Sequence, residues 1–263
     1  MPSPTSSSSS GDSSSSGDSG SSATSGPGTA SGAYAKPRPR LSLPATSVAT
    51  VTIALIVSGV APHDRPTWLM ETFWVVIGLP LLVRVWRRFP LTGLLCVLLT
   101  LHALILVLGG HYTYALTPPG EWLQDWFGLA RNPYDRIGHF VQGFVPAILW
   151  REILVRRSPL GGSRWLAPLV VCGCLAFSAF FELIEWWAAL IGGSAADDFL
   201  ATQGDVWDTQ WDMCLALLGA TSALLLLSRL HDEQLTALGD STGRTPSTTS
   251  SPEPRRSLRR TGG

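Results

Sequence analysis

The chain has 263 residues, of which 45% are hydrophobic and only 14% are charged, and 11 are tryptophan. Soluble domains usually contain about 25% charged residues, so this composition argues against a soluble enzyme. Basic and acidic residues balance at 19 each, and the net charge therefore gives no reason to expect nucleic acid as a partner.

Two polar tails flank an apolar body. Residues 1–43 consist mainly of Ser, Gly, Thr and Pro, a composition that cannot bury enough apolar area to offset the entropy of ordering. We predict that this N-terminal tail is disordered and that residues 232–263, which are polar and basic, form a second disordered tail. Residues 44–231 between them form the predicted transmembrane domain.

Six apolar segments lie within this domain. Most of them approach the roughly 20 residues that cross a hydrocarbon core about 30 Å thick. In lipid the backbone must satisfy its own hydrogen bonds, which favours helices. The sequence therefore predicts an all-α fold, a polytopic membrane bundle of about six transmembrane helices. The predicted spans are Ala45–Ala61, Thr67–Val83, Leu91–Gly110, Asp135–Val155, Trp165–Ile191 and Asp205–Leu230.

Basic residues are distributed asymmetrically about these spans. With the N-terminus in the cytoplasm, only Arg65, Arg131 and Arg136 of the 19 Lys and Arg residues fall outside. Short cytoplasmic flanks are enriched in Lys and Arg, so we predict a multi-pass protein with both termini in the cytoplasm.

The longest outer loop contains a short amphipathic segment. Residues 120–130 place Trp122, Leu123, Trp126 and Phe127 on one helical face. A helix lying in the membrane surface and a helix packed on the bundle both fit this pattern.

Ionisable residues concentrate in the outer halves of the predicted spans. Each costs roughly 2.5–3.5 kcal/mol in hydrocarbon, which predicts a function or a specific partner. Asp135 and His139 are four residues apart at the start of span four and share a helix face. The inner half is expected to contain only flanking Arg residues. The other outer residues are Glu182 and Glu185 on span five, Asp205, Asp208 and Asp212 as one stripe on span six, and His102 and His111 on span three.

So many carboxylates need protons, cationic partners or a metal ion. Oxygen ligands with a few imidazoles suit Mg²⁺, Mn²⁺, Fe or Zn²⁺. Protonated carboxyls and interhelical polar packing are the alternatives. We interpret His102 as a packing residue. Candidate metal ligands are Asp205, Asp208, Asp212, Glu182, Glu185, His139, Asp135 and His111, and the candidate catalytic residues, as general base, are His139 and Glu185.

Several long motifs resemble those of the YjdF-like family of bacterial inner-membrane proteins. The resemblance covers residues 45–235 and implies a location in the bacterial inner membrane without implying an activity. The ordered D-x-x-x-H-F, E-x-x-x-W and D-x-x-D-x-x-x-D patterns are more distantly similar to VanZ-like membrane proteins, where Asn stands in place of Asp212. The YjdF-like motifs are GGHYTYA, NPYDRIGHFVQGFVPAI, FELIEWWAAL and FLATQGDVWDTQWDM.

Three classes of function remain open. One is a metal-dependent membrane enzyme that acts on a lipid or polyprenyl-type substrate at the outer leaflet. A second is a non-catalytic envelope protein that binds a lipid or a protein partner. The third is a proton-coupled transporter, because carboxylate and histidine chains within spans also form proton relays. The sequence leaves open whether the protein is an enzyme and what its oligomeric state is.

Overall fold

The computed structural model describes residues 42–193 and 202–241, and within these ranges the chain is helical with no β-strand. This confirms the all-helical fold class. Most of the two predicted tails lies outside the described residues. The helices are α1 (Leu43–Ser58), α2 (Arg65–Val85), α3 (Gly93–Tyr112), a short 3₁₀ helix (Tyr114–Leu116), α4 (Pro118–Phe127), α5 (Tyr134–Arg157), α6 (Leu166–Gly192) and α7 (Asp208–Ser241).

Four helices in the described ranges, α2, α3, α6 and α7, have the length and apolar composition of a transmembrane span. Helix α1 is apolar but has only 16 residues. Helix α5 has 24 residues, which is long enough to cross, but it contains charged side chains near both ends. A membrane protein with several apolar helices is therefore shown, whereas the number of six spans stays a prediction.

Helix α7 differs from the predicted sixth span at both ends. It continues past Leu230 to Ser241, so residues 232–241, which the sequence analysis assigned to the disordered tail, are helical. Tertiary contacts support this extension, since the Gln234 side chain accepts a 2.8 Å hydrogen bond from the backbone N–H of Leu94. The helix begins at Asp208, and Asp205 precedes it. The predicted carboxylate stripe is therefore reduced on the helix to Asp208 and Asp212.

Helices α5 and α7 pack against each other more closely than side chains of ordinary size allow. A Cβ atom at Gly143 of α5 would lie 1.9 Å from the carbonyl oxygen of Ala216, and one at Gly219 of α7 would lie 2.0 Å from that of Phe140. Ala147, Ala220 and Ala223 are fully buried in the same core. In lipid, such small residues let two helix backbones approach and gain van der Waals contact.

The helix neighbours explain why α5 tolerates charge. Helix α5 packs against α3, α6 and α7, and α3 also packs against α1 and α2. The interior position of α5 gives its polar side chains protein partners instead of lipid. Helices α1 and α2 pack mainly against α3 and are therefore more peripheral than α5.

Helix α4 exposes its aromatic residues. Trp122, Trp126 and Phe127 are each at least 69% exposed, although tryptophan and phenylalanine side chains gain most from burial. This exposure favours the membrane-surface interpretation over the packed one. The N-terminus of α4 is held by Asn132, whose side-chain amide donates a 3.2 Å hydrogen bond to the backbone carbonyl of Thr117.

We expect Gly143→Ala and Gly219→Ala each to lower the free energy of unfolding by about 1–3 kcal/mol or more, because the new methyl group meets backbone atoms that cannot rotate away. Thermal unfolding in detergent checks this. Gly78→Ala is the matched control, since a Cβ there meets no atom within 4 Å. Equal melting temperatures for all three variants would contradict the packing described here.

Candidate functional site

Three buried side chains from two helices form a group with the spacing of a metal site. They are Asp135 and His139 of α5 and Asp212 of α7, and one ligand atom of each lies within 4.8 Å of the other two. The Nε2 atom of His139 is 3.5 Å from Asp135 Oδ1 and 4.0 Å from Asp212 Oδ2. Ligand atoms about 2.1 Å from a cation lie roughly 3 to 4 Å from one another, so the residues present fit a cation of ordinary size.

Glu182 of α6 approaches the other nitrogen of the same imidazole. Its Oε1 atom lies 3.7 Å from His139 Nδ1, and its side chain is only 5% exposed. A carboxylate next to the second ring nitrogen fixes the tautomer and orientation of a ligating histidine. The arrangement therefore directs Nε2 of His139 toward the two aspartates and Nδ1 toward Glu182.

Several polar atoms of this group lack hydrogen bonds within the described part of the chain. They are both carboxylate oxygens of Glu182, Oδ1 of Asp212 and Nδ1 of His139, and all are buried. A buried carboxylate without a partner costs several kcal/mol, so these acceptors indicate a cation, a proton or water that completes the site.

Two arginines neutralise the remaining outer aspartates. Arg131 donates to Asp208 and, at 3.3 Å, to Asp135 Oδ2, which leaves Oδ1 directed toward His139. Arg136 donates to Asp205 at 2.6 Å. Asp205, Asp208 and the Oδ2 atom of Asp135 are thus ion-paired. Asp135 therefore offers a cation only its Oδ1 atom, and Asp212 is the stronger ligand candidate.

The other sequence-predicted site residues are not among the three, although the Glu185 carboxyl lies near Asp135 and Asp212. Glu185 is half-buried and follows Glu182 by three residues on α6. The Nδ1 atom of His111 is hydrogen-bonded, at 2.8 Å, to the backbone carbonyl of Ser58, which gives this histidine a role in joining α3 to α1. His102 is on α3, and its Nε2 has no hydrogen bond within the described residues.

Sequence analysis missed Glu71, which brings α2 to the same cluster. Its side chain is 1% exposed, accepts a hydrogen bond from the Tyr114 hydroxyl and lies near Asp135 and His139. The candidate residues predicted from the sequence all come from spans three to six, so α2 is an additional contributor. One acidic residue within the apolar string W-L-M-E-T-F-W was the available indication.

The expectation that the half of the bundle predicted to face the cytoplasm, here called the inner end, contains only flanking arginines is wrong. Glu152 of α5 and His231 of α7 are both fully buried, and His231 Nε2 lies 3.0 Å from Glu152 Oε2. The Thr92 hydroxyl donates to the same oxygen at 2.8 Å, and Arg156 donates to the other at 2.7 Å. Glu152 and His231 are 79 residues apart in the sequence, so only the fold brings them together.

The hydrogen-bond partners of His231 define its tautomer. Arg151 lies 3.0 Å from His231 Nδ1, and a guanidinium has only donors, so Nδ1 must accept. Nε2 then bears the proton and donates to Glu152. Arg151 also donates to Asp232 at 2.7 Å. The inner cluster is therefore satisfied throughout by its own side chains, whereas the outer group is not.

Comparison with known proteins places the chain in a family. The sequence model described as "Predicted membrane protein (DUF2238)" matches residues 43–233, and the chain belongs to this family. The chain is 55% identical over 198 residues to the inner membrane protein YjdF of Escherichia coli (strain K12), covering 75% of this chain and 95% of that protein. No solved structure matches the chain. The YjdF-like resemblance and the inner-membrane location are thereby confirmed.

For the inner cluster, we expect Glu152→Ala to lower the free energy of unfolding by about 3–5 kcal/mol, because it leaves the buried His231 imidazole and the buried Thr92 hydroxyl without their acceptor and removes one of the acceptors of Arg156. Asp232→Ala is the control. It removes a carboxylate that is 58% exposed, so we expect a loss below about 1 kcal/mol. Chemical denaturation in mixed micelles measures both. Equal losses would show that burial of the cluster contributes no stability.

Proposed function

We propose that this protein is a six-span inner-membrane protein that binds a divalent cation in the outer half of the membrane. The proposal includes α1 and α5 as spans, with both termini in the cytoplasm. The proposed cation ligands are Asp135, His139 and Asp212, with Glu182 orienting the imidazole. The observation that supports it most directly is the set of buried carboxylate oxygens without hydrogen bonds around one histidine.

The exposed tryptophans support the placement of the helix ends at the two membrane surfaces, while the proposed orientation rests on the Lys and Arg bias. Trp186, Trp187, Trp207 and Trp211 would lie near the outer surface of the membrane, and Trp150 and Trp165 near the inner one. Tryptophan is enriched at both membrane–water interfaces. We expect a reporter fused after Arg157 to be cytoplasmic and one inserted at Gly120 to be external. A cytoplasmic result at Gly120 would overturn this orientation.

The ligand set favours transition metals. Imidazole suits Fe²⁺ and Zn²⁺, and carboxylates suit Mn²⁺, whereas Mg²⁺ prefers a shell of oxygen ligands and keeps several waters. Three protein ligands leave coordination positions for water or a substrate, as in catalytic rather than structural sites. Lewis-acid activation of a phosphoryl or carbonyl oxygen is the chemistry that such a cation supplies.

A site in this position suits a substrate that arrives through the membrane. We infer that the ligand is a lipid-type molecule of the outer leaflet, with its polar group at the Asp135–His139–Asp212 group. Of the two predicted catalytic residues, His139 acts as a ligand here. Glu185 stays the candidate general base, because it is half-buried one turn after Glu182 on the same helix and its carboxyl lies near Asp135 and Asp212.

Metal analysis of the full-length protein, purified without chelator, tests the cation site. We expect about one transition-metal ion per chain, and tighter binding of Mn²⁺ or Zn²⁺ than of Mg²⁺. Asp212→Asn and His139→Gln should remove most of the metal. Glu182→Gln should weaken binding roughly 10–100-fold, the usual effect of losing an outer-shell carboxylate.

Asp205→Asn is the matched control for these variants. It removes a carboxylate from the same side of the bundle, but one that is paired with Arg136, so metal content should not change. If the native protein contains no metal and none of these ions raises its melting temperature, the cation site is refuted. The proton-relay interpretation of the same carboxylates would then replace it.

A further inference from the structure

A long apolar cavity leads from the outer group of carboxylates into the membrane. Its volume is about 860 Å³, and it lies between α1, α2 and α3 on one side and α5 and α6 on the other. Tyr114, Asp135 and His139 line its outer end, and Ser42, Arg87 and Phe89 line its inner end. Between them the wall is mainly aliphatic and aromatic, with Thr100, His102 and Gln142 among its few polar side chains. A cavity of this chemistry accepts a hydrocarbon chain.

The cavity is longer than the depth to which an ordinary phospholipid chain reaches in a bilayer. Along α5 it extends from Asp135 to Ile153, which corresponds to about 27 Å at 1.5 Å per residue. The hydrocarbon core of a bilayer is about 30 Å thick, so the chains of ordinary phospholipids reach through only about half of it. A chain that fills this cavity from one end to the other is therefore longer than those of the surrounding bilayer.

The polar end of the cavity determines where the head group lies. The carboxylates and imidazole are at the outer end, and the proposed cation there would bind phosphate oxygens, as divalent cations held by carboxylates commonly do. Without a cation, the same carboxylates would repel an anionic head group. This part of the argument rests on the proposed function.

We propose that the cavity binds a long-chain polyprenyl phosphate, with its phosphate at Asp135 and His139, the two members of the group of three that line the cavity, and its isoprenoid chain extending toward the cytoplasmic side. One molecule per chain is expected. The aromatic pair formed by Trp74 of α2 and Phe177 of α6, whose ring centroids are 5.0 Å apart, lies in the cavity wall and would contact the chain.

Binding is tested with the full-length protein in detergent, by native mass spectrometry with added lipids. The probes are undecaprenyl phosphate, farnesyl phosphate and dioleoyl phosphatidic acid. We expect undecaprenyl phosphate to bind at least tenfold more tightly than the other two. Equal binding of phosphatidic acid would overturn the assignment of an isoprenoid chain.

Two substitutions fill the cavity in different places. Gly78→Phe adds a ring from α2, at a position where a Cβ meets no atom within 4 Å. Thr100→Phe adds a ring from α3, and both residues line the cavity. Each should weaken binding of undecaprenyl phosphate at least tenfold without lowering the melting temperature. Val76→Phe is the control, because this residue is 40% exposed on α2 and does not line the cavity. Binding that is unaffected in both filling variants would refute the cavity as the site.

A second comparison separates this proposal from the cation site. Undecaprenol, which lacks the phosphate, should bind to native protein and to Asp212→Asn alike, and more weakly to Gly78→Phe. That result would uphold the cavity even if no metal is found. The opposite result has two parts: native protein binds metal, and Gly78→Phe leaves undecaprenol binding unchanged. It would uphold the cation site and overturn the binding of the chain in the cavity.

Discussion

The close approach of α5 and α7 is the contact on which the rest of the described bundle depends. Gly143 lies against Ala216 and Gly219 lies against Phe140, so the two backbones are separated by little more than a van der Waals contact. One helical turn before Gly143 and Ala216 come His139 and Asp212, which meet for this reason. Lipid supplies no hydrophobic force that drives helices together, and the fit of small residues must provide the association.

The same pair of helices has polar contacts at both ends, and these differ in kind. At the inner end, Glu152 and His231 are buried with complementary donors and acceptors, and two arginines complete the network. A satisfied network of this sort stabilises the helix register. At the outer end, Glu182 and Asp212 retain acceptors without hydrogen bonds in the described residues. Within the described residues, the polar atoms around Glu152 and His231 have partners, whereas several around His139 do not, and the proposed cation would satisfy these.

The pattern of apolar and ionisable residues along the sequence was sufficient to predict the helical fold, the approximate bounds of the helices and the concentration of ionisable residues in α5, α6 and α7. The grouping of Asp135, His139 and Asp212 could not be predicted, because it depends on the register between two helices that are separated by about 50 residues of sequence. The stripe prediction assigned Asp205 and Asp208 the same role as Asp212. The fold instead places Arg131 and Arg136 beside the first two, and only tertiary contacts decide which carboxylates acquire an arginine.

X-ray absorption spectroscopy of the protein loaded with Zn²⁺ or Mn²⁺ tests the central claim most directly. We expect a first coordination shell around the metal with one imidazole nitrogen and carboxylate oxygens at about 2.0–2.2 Å, and loss of the imidazole contribution in His139→Gln. The spectrum of Asp205→Asn should be unchanged. A first shell that contains only oxygen, or an imidazole contribution that persists in His139→Gln, would contradict the assignment of the metal to this histidine.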